Sequence, residues 1–235
     1  MKAILLAAGL GTRLRPLTDS VPKCLVPIGD KPLLSYWLDA LAGVGITDIL
    51  INLHHLSDQV ISYVQSRADS QNITLVYETN LLGTAGTIRE NVDFFKEEQA
   101  MVIHADNFCT ADLMKFINAH DRRPAGTEIT MMTFVTDDPT SCGIVETDAR
   151  GVVIEFYEKV KSPPGNVANA AVYIFQQSVI EHISNIKDCF CELSADVLPK
   201  YRDKIFTWEA DDIHIDIGTF KNLQKANAVM ASVKM

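Results

Sequence analysis

The 235-residue sequence predicts an α/β fold, with a mixed but mostly parallel sheet carrying helices on both faces. Three observations carry that reading. Short apolar runs alternate with stretches of helical spacing, the pattern of βαβ units. The runs are apolar at successive positions rather than at every second one, as in strands covered on both faces. The composition, 47% hydrophobic and 22% charged, is that of an ordinary globular protein. A chain of this length buries roughly 70% of its unfolded surface and needs no disulfide or metal staple.

Residues 2–8 (KAILLAA) form the first apolar run, of strand length. The next segment, 9–32, is punctuated by Gly9, Gly11, Pro16, Pro22, Pro27, Gly29 and Pro32 and reads as a loop. Leu34, Trp37, Leu38 and Leu41 place a helix over 33–44, and DILINL a second buried strand over 48–53. Val60, Ile61 and Val64 predict a helix within 57–68. A strand at 73–77, a helix at 84–95, a strand at 100–105 and a helix at 111–122 follow. Beyond residue 125 the rhythm changes to strands at 128–135, 143–147, 152–158 and 169–175, then 205–209 and 213–217, with helical stretches at 193–202 and 219–233. No repeat or flexible linker interrupts the chain. One domain over 1–235 is expected, its second half, 126–235, adding strands, the far wall of a cleft and a C-terminal helix. In open α/β sheets ligands bind beyond the carboxyl ends of the strands.

The short apolar N-terminal run fits neither a signal peptide nor a membrane helix, so a cytoplasmic protein without membrane association is expected. The five cysteines (24, 109, 142, 189 and 191) lack C-x-x-C spacing, and the pair 189/191 is too small to make a zinc site. The net charge of −9 argues against a nucleic-acid partner. Its distribution is uneven. Residues 1–31 carry Lys2, Arg13, Arg15, Lys23 and Lys31 against Asp19 and Asp30, a surplus of +3; the remainder sums to −12. A basic loop on an acidic body suits a small polyanion.

That loop, Ala8-Gly9-Leu10-Gly11-Thr12-Arg13-Leu14-Arg15-Pro16, follows a buried first strand, where glycine lets backbone N–H groups approach phosphate. It is neither a dinucleotide fingerprint, since position 14 is Leu, nor a Walker A motif, since no Lys-Ser or Lys-Thr follows. The prolines disfavour an immediate helix, so side chains must bind the phosphates. Arg13 and Lys23 are the candidates; Arg15 and Lys31 read as ordinary solvated charges.

The block Gly9-x-Gly11-Thr12-Arg13-Leu14-x-Pro16-Leu17-Thr18, followed by Pro22-Lys23-x-Leu25-x-Pro27, resembles the signature of the sugar-1-phosphate nucleotidyltransferases. Later blocks extend the resemblance in order: Leu82 to Gly86, Ala105-Asp106-Asn107, Gly143 to Glu146, Glu158-Lys159, Asn169 to Phe175, and Asp216-Ile217-Gly218-Thr219. The resemblance implies a Rossmann-like nucleotidyltransferase fold. It also implies transfer of a nucleotidyl group from a nucleoside triphosphate to a sugar-1-phosphate, with release of pyrophosphate and with Mg²⁺ as cofactor.

A sugar-1-phosphate is already anionic and needs no general base, consistent with the lack of a Ser/His/Asp set. The work is positioning and charge neutralisation. By resemblance, Arg13 clamps the β/γ-phosphates and Lys23 the region of the α-phosphorus, with Ala8, Gly9, Gly11 and Thr12 lining the nucleotide. Gly83, Thr84 and Gly86, in a segment placed just before a helix, would receive the nucleobase. Gly143, Glu158, Lys159 and Asn169 would hold the sugar phosphate. Asp106 and Asp216, each at a strand end, would hold Mg²⁺; a lone strand-end Asp is otherwise often a helix N-cap.

The wording Gly-Thr-Ala-Gly resembles guanylyltransferases for mannose-1-phosphate or a heptose-1-phosphate. Alternatives are a uridylyl-, thymidylyl- or cytidylyltransferase, or a non-catalytic nucleotide-sugar sensor. There are departures from the family pattern: His104-Ala105 where glycine often precedes the aspartate, Val160 where proline commonly follows the lysine, and Ala171 where glycine is frequent. His54-His55 reads as structural, since adjacent strand residues point to opposite faces. Trp37 and Trp208 read as core or interface. With the helix at 219–233 soon after the Asp216 block, no β-helix acyltransferase domain is expected, and an oligomer is compatible with the sequence.

Overall fold

The computed structural model describes residues 1–233. In chain order its elements are β1 (Lys2–Leu6), β2 (Pro27–Ile28), β3 (Lys31–Pro32), α1 (Leu33–Gly43), β4 (Ile49–Leu53), α2 (Ser57–Gln65) and β5 (Ile73–Tyr77). These are followed by α3 (Thr84–Glu90), α4 (Val92–Phe95), β6 (Ala100–His104), β7 (Asn107–Cys109), α5 (Leu113–Asp121), β8 (Ile129–Val135), β9 (Gly143–Thr147) and β10 (Val153–Glu158). The chain continues through β11 (Val167–Phe175), α6 (Gln177–Ser184), β12 (Ile205–Glu209), β13 (His214–Asp216) and α7 (Phe220–Val233). Among the described residues no helix is long and apolar enough to cross a membrane.

The chain forms two compact units, neither continuous in sequence. One comprises Ala3–Leu81, His104–Ala111 and the residues from Asp212 on; the other comprises Met1–Lys2, Leu82–Ile103 and Asp112–Asp211.

In the first unit β1, β4 and β5 form a parallel ladder, Ala3 opposite Ile49 and Ile49 opposite Ile73. Every β4 residue is buried, as in a strand covered on both faces. Its one polar member, Asn52, accepts the Ala7 N–H at 2.7 Å and donates to Glu78 Oε1 at 2.8 Å. The segment 9–32 is more ordered than a loop. It contains single turns of 3₁₀ helix at Thr12–Leu14, Leu17–Asp19 and Lys23–Leu25, then the antiparallel β2–β3 pair. Fully buried Leu14 ties it to the core. A second antiparallel pair, β7–β13, sets Asp216 opposite Asn107. It rests on an apolar cluster of Val26, Ile28, Leu33, Phe108, Ile215, Ile217 and Ala226. Trp37 donates its indole N–H to the Asn107 carbonyl at 2.8 Å, so it is a core residue with its polar atom satisfied.

The other unit is built on β11, which pairs antiparallel with β6, β8 and β9; β9 carries β10, and β12 lies parallel to β8. Trp208 packs on Phe116 with ring centroids 5.6 Å apart. The β11–β8 register slips between Asn169 and Tyr173, a bulge that recurs in the site below.

Three local differences from the sequence reading have physical causes. The single helix expected over 84–95 breaks at Asn91, whose side chain donates to the Thr87 carbonyl at 2.8 Å and diverts the backbone. The stretch 193–202 is a wide helical turn followed by 3₁₀ geometry, since Pro199 has no N–H for an α-helical bond. Helix α6, with Val179, Ile180 and Ile183 buried, is an amphipathic segment passed over between stronger signals.

Candidate functional site

The glycine-rich loop is shaped by a specific requirement at Gly11. Its φ is +62°, and a Cβ there would lie 2.8 Å from Thr18 Cγ2, so only glycine fits without displacement. Thr18 closes the turn by donating to the Gly11 carbonyl at 2.7 Å. Ala8 is buried, whereas Gly9, Thr12 and Arg13 are exposed. The first 3₁₀ turn thus lifts Arg13 into solvent, and the third carries Lys23 inward.

Lys23 is 6% exposed and lies between two carboxylates, its Nζ 2.7 Å from Asp106 Oδ2 and 3.3 Å from Asp216 Oδ1. Arg13 Nη2 lies 3.6 Å from the other oxygen of Asp216. These four residues, far apart in sequence, share one unit because β7 and β13 pair beside the 3₁₀ turns. Burial by itself would push the Lys23 ammonium down; Asp106 and Asp216 outweigh it and hold the group above the ordinary lysine value. Burial likewise pushes Asp106 up, but Lys23 and His104 overcome it and keep the carboxyl below the usual range. Asp106 is therefore anionic at neutral pH.

Neither aspartate caps a helix. Asp112 caps α5, accepting from the Met114 and Lys115 N–H groups at 2.9 and 3.2 Å, and Thr219 Oγ1 accepts from Asn222 N at 3.2 Å. Two carboxylates that already share one ammonium are the right donor set for one hard divalent cation. Among the described residues no third His, Cys, Asp or Glu joins them as a metal cluster, so phosphate and water oxygens would have to complete the coordination. Gly218 is the unforeseen member of this group. A Cβ on it would fall 2.7 Å from Arg13 Nη2 and 2.9 Å from Asp216 Oδ1, and its N–H donates to that oxygen at 2.8 Å. Arg15 pairs with Asp19 at 3.1 Å and Lys31 with Asp39 at 2.6 Å, both away from this cluster. His54 and His55 each bond a backbone carbonyl, of Glu78 and Thr18 respectively.

The other unit holds the remaining candidates. Thr84 is the first residue of α3 and Gly83 precedes it with φ +78°, so the segment is the helix start rather than a loop before it. The glycines are used for packing: a Gly83 Cβ would lie 2.5 Å from the Cys191 carbonyl oxygen. Gly143 faces Glu158 across the β9–β10 ladder, and a Cβ on it would meet Glu158 Oε2 at 2.7 Å. Glu158 pairs with Lys159 Nζ at 3.3 Å. Asn169 is held across the β11 bulge, donating to the Tyr173 hydroxyl at 2.7 Å and accepting the Ala171 N–H at 2.9 Å. Ala171 sits at φ +55°, the left-handed region that glycine adopts without strain. Sequence reading missed Glu192, whose carboxylate bonds Thr84. An isolated acidic residue in an irregular stretch carries no pattern that would have revealed it.

Comparison with known proteins adds the family. A mannose-1-phosphate guanyltransferase of Saccharomyces cerevisiae is 29% identical over 228 residues, covering 94% of this chain and 62% of its own. A UTP–glucose-1-phosphate uridylyltransferase of Synechocystis is 30% identical over 235 residues, covering 93% and 60%. The chain thus spans about three fifths of the length of these relatives. The structure of HddC from Yersinia pseudotuberculosis, solved with GMP-PN, superposes with a TM-score of 0.81 at 25% identity, covering 97% of this chain and 99% of its own. The Rossmann-like α/β nucleotidyltransferase fold implied by the motifs is therefore the fold of this chain. The nucleotidyl transferase family profile matches residues 2–232, and the chain belongs to that family.

Proposed function

We propose that the protein transfers a nucleotidyl group from a nucleoside triphosphate to a sugar-1-phosphate, releasing pyrophosphate, and that it acts as a guanylyltransferase on mannose-1-phosphate or a heptose-1-phosphate. The observation that carries this reading is Lys23, held between Asp106 and Asp216 beside Arg13. A buried ammonium, an exposed guanidinium and two shared carboxylates form a site for a metal-bound polyphosphate. We take 1–235 as one nucleotidyltransferase domain, with 1–125 serving the nucleotide and 126–235 the sugar phosphate.

In this mechanism a phosphate oxygen of the sugar-1-phosphate attacks the α-phosphorus. The bond from that phosphorus to the α,β-bridging oxygen breaks, and pyrophosphate leaves with the electron pair. Arg13, exposed and forked, holds the β/γ-phosphates as their charge grows. Lys23 neutralises oxygens at the α-phosphorus. Asp106 and Asp216 would hold Mg²⁺, which supplies charge neutralisation and orientation of the triphosphate. Lys159 holds the acceptor phosphate; Gly143, Glu158 and Asn169 meet sugar hydroxyls. Ala8, Gly9, Gly11 and Thr12 line the triphosphate, and Gly83, Thr84 and Gly86 the nucleoside. The preference for guanine draws on the guanylyltransferase relative and on the GMP-PN bound to the Yersinia structure.

The test is a pyrophosphate-release screen of GTP, UTP, dTTP, CTP and ATP against mannose-, glucose- and heptose-1-phosphates with Mg²⁺. Turnover highest with GTP and mannose- or heptose-1-phosphate is expected. A best activity with UTP or dTTP would move the assignment to another base, and no release with any pair would refute the catalytic reading.

A further inference from the structure

The start of α3 is gripped by the segment 188–193. Cys191 bonds it in both directions, its N–H donating to the Leu82 carbonyl at 3.0 Å and its carbonyl accepting from Ala85 and Gly86 at 2.9 and 3.1 Å. Glu192 Oε2 accepts from the Thr84 hydroxyl at 2.6 Å and from the Thr84 N–H at 3.2 Å. The Thr84 hydroxyl in turn accepts the Leu193 N–H at 2.7 Å. Glu192 is itself placed by two anchors. Its N–H donates to Asp196 Oδ2 at 2.7 Å, and the Arg89 guanidinium bonds the Asp188 and Cys189 carbonyls.

Two consequences follow. The N–H groups of Thr84, Ala85 and Gly86, which a helix start normally leaves open, are all taken by the chain's own oxygens. A carboxylate at this position repels phosphate, so the segment suits an uncharged part of a nucleotide. The fit is also tight, because Gly83 excludes any side chain against Cys191. The shape of 82–86 is therefore set by 188–193 together with Gly83.

We propose that Glu192 is a positioning residue for nucleobase selection, acting through Thr84 to fix the backbone of 82–86. The proposal rests on the reading of 82–86 as the nucleoside-binding segment. Glu192 need not touch the base. It fixes the backbone donors and acceptors that do, and a shift of a fraction of an ångström there changes which base edge is matched.

The experiment uses the full chain and the variants Glu192→Ala and Glu192→Gln. Amide hydrogen exchange reads the clamp, and calorimetric titration with GTP, UTP, dTTP and CTP, each with Mg²⁺, reads selectivity. Pyrophosphate binding serves as the control. Glu192→Ala should speed exchange at residues 84–86 and lower the ratio of best to worst nucleotide affinity, each by roughly tenfold, the order of one charge-assisted hydrogen bond. Pyrophosphate affinity should stay within about twofold. Glu192→Gln, which keeps an acceptor oxygen, should restore most of the selectivity. Unchanged exchange in Glu192→Ala would overturn the clamp. Faster exchange with unchanged selectivity would show a real clamp on a segment that does not read the base, overturning the proposal together with the reading beneath it. Should Glu192→Ala fail to fold, Asp196→Ala removes the acceptor of the Glu192 N–H, lies outside the nucleoside-lining residues, and is read in the same way.

Discussion

His120 should make the protein acid-sensitive in a window set by one buried imidazole. Its side chain has no exposed surface, and its ring nitrogens lie 2.7 Å from Thr130 Oγ1 and 2.8 Å from Gln176 Nε2. With the amide nitrogen donating to Nε2, the proton sits on Nδ1 and the neutral ring satisfies both partners. Burial, then the charge of Arg123, lowers its pKa from 6.5 to about 4, against an opposing contribution from Asp121. The folded value lies below the unfolded one, so on acidification the unfolded chain takes up the proton first. Stability is full above pH 6.5 and falls towards pH 4. A shift of this size is worth about 3 kcal/mol across the window. Urea unfolding at pH steps between 7 and 4, on wild type and His120→Asn, checks it. The variant starts from a lower stability, but only the pH slope is read. The paired carboxylates, among them Asp39, Asp69 and Glu128, have lowered pKa values and lose their contribution further into acid. They cancel between the two proteins. A stability difference between wild type and variant that stays constant from pH 6.5 to 4.5 would refute the argument. A ring that titrates near 6.5 by NMR would do the same.

Three further outcomes are expected. Ala171→Gly should stabilise the fold: it removes roughly 1–2 kcal/mol of left-handed strain and costs roughly 0.4–1 kcal/mol in chain entropy. The net gain, up to roughly 1.6 kcal/mol, corresponds to a melting point higher by up to about 6 °C by calorimetry, and a lower melting point would contradict the bulge geometry. Gly218→Ala should leave stability within about 0.5 kcal/mol. It should cost on the order of tenfold or more in turnover by displacing Arg13 from Asp216; unchanged steady-state kinetics would remove Gly218 from the site. Asp106→Asn or Asp216→Asn should abolish Mg²⁺-dependent pyrophosphate release with circular dichroism unchanged, and Arg13→Ala should lower the rate by at least ~10²-fold. Near-normal turnover in both aspartate variants would refute the metal assignment.

The sequence by itself determined what depends on neighbouring residues. Apolar runs such as ILINL at β4 declare strands because burial on both faces requires them, and the spacing of Leu34, Trp37 and Leu38 declares α1. Gly11 and the prolines around Arg13 and Lys23 marked a stiff basic loop, since backbone freedom and its loss are local properties. Asp106 and Asp216 were legible as candidates only through ordered motif blocks.

Tertiary structure alone decided the rest. The β7–β13 pairing sets Asn107 opposite Asp216, and a three-residue strand has no signature outside its partner. That pairing makes Lys23 a buried ammonium between two carboxylates rather than one more solvated lysine. Glu192 acquires its role from Thr84, 108 residues earlier, and His120 its low pKa chiefly from burial in the surrounding core. Burial and charge pairing are sums over spatial neighbours, and which neighbours a residue has is fixed by strand register and packing rather than by the residues beside it in the chain.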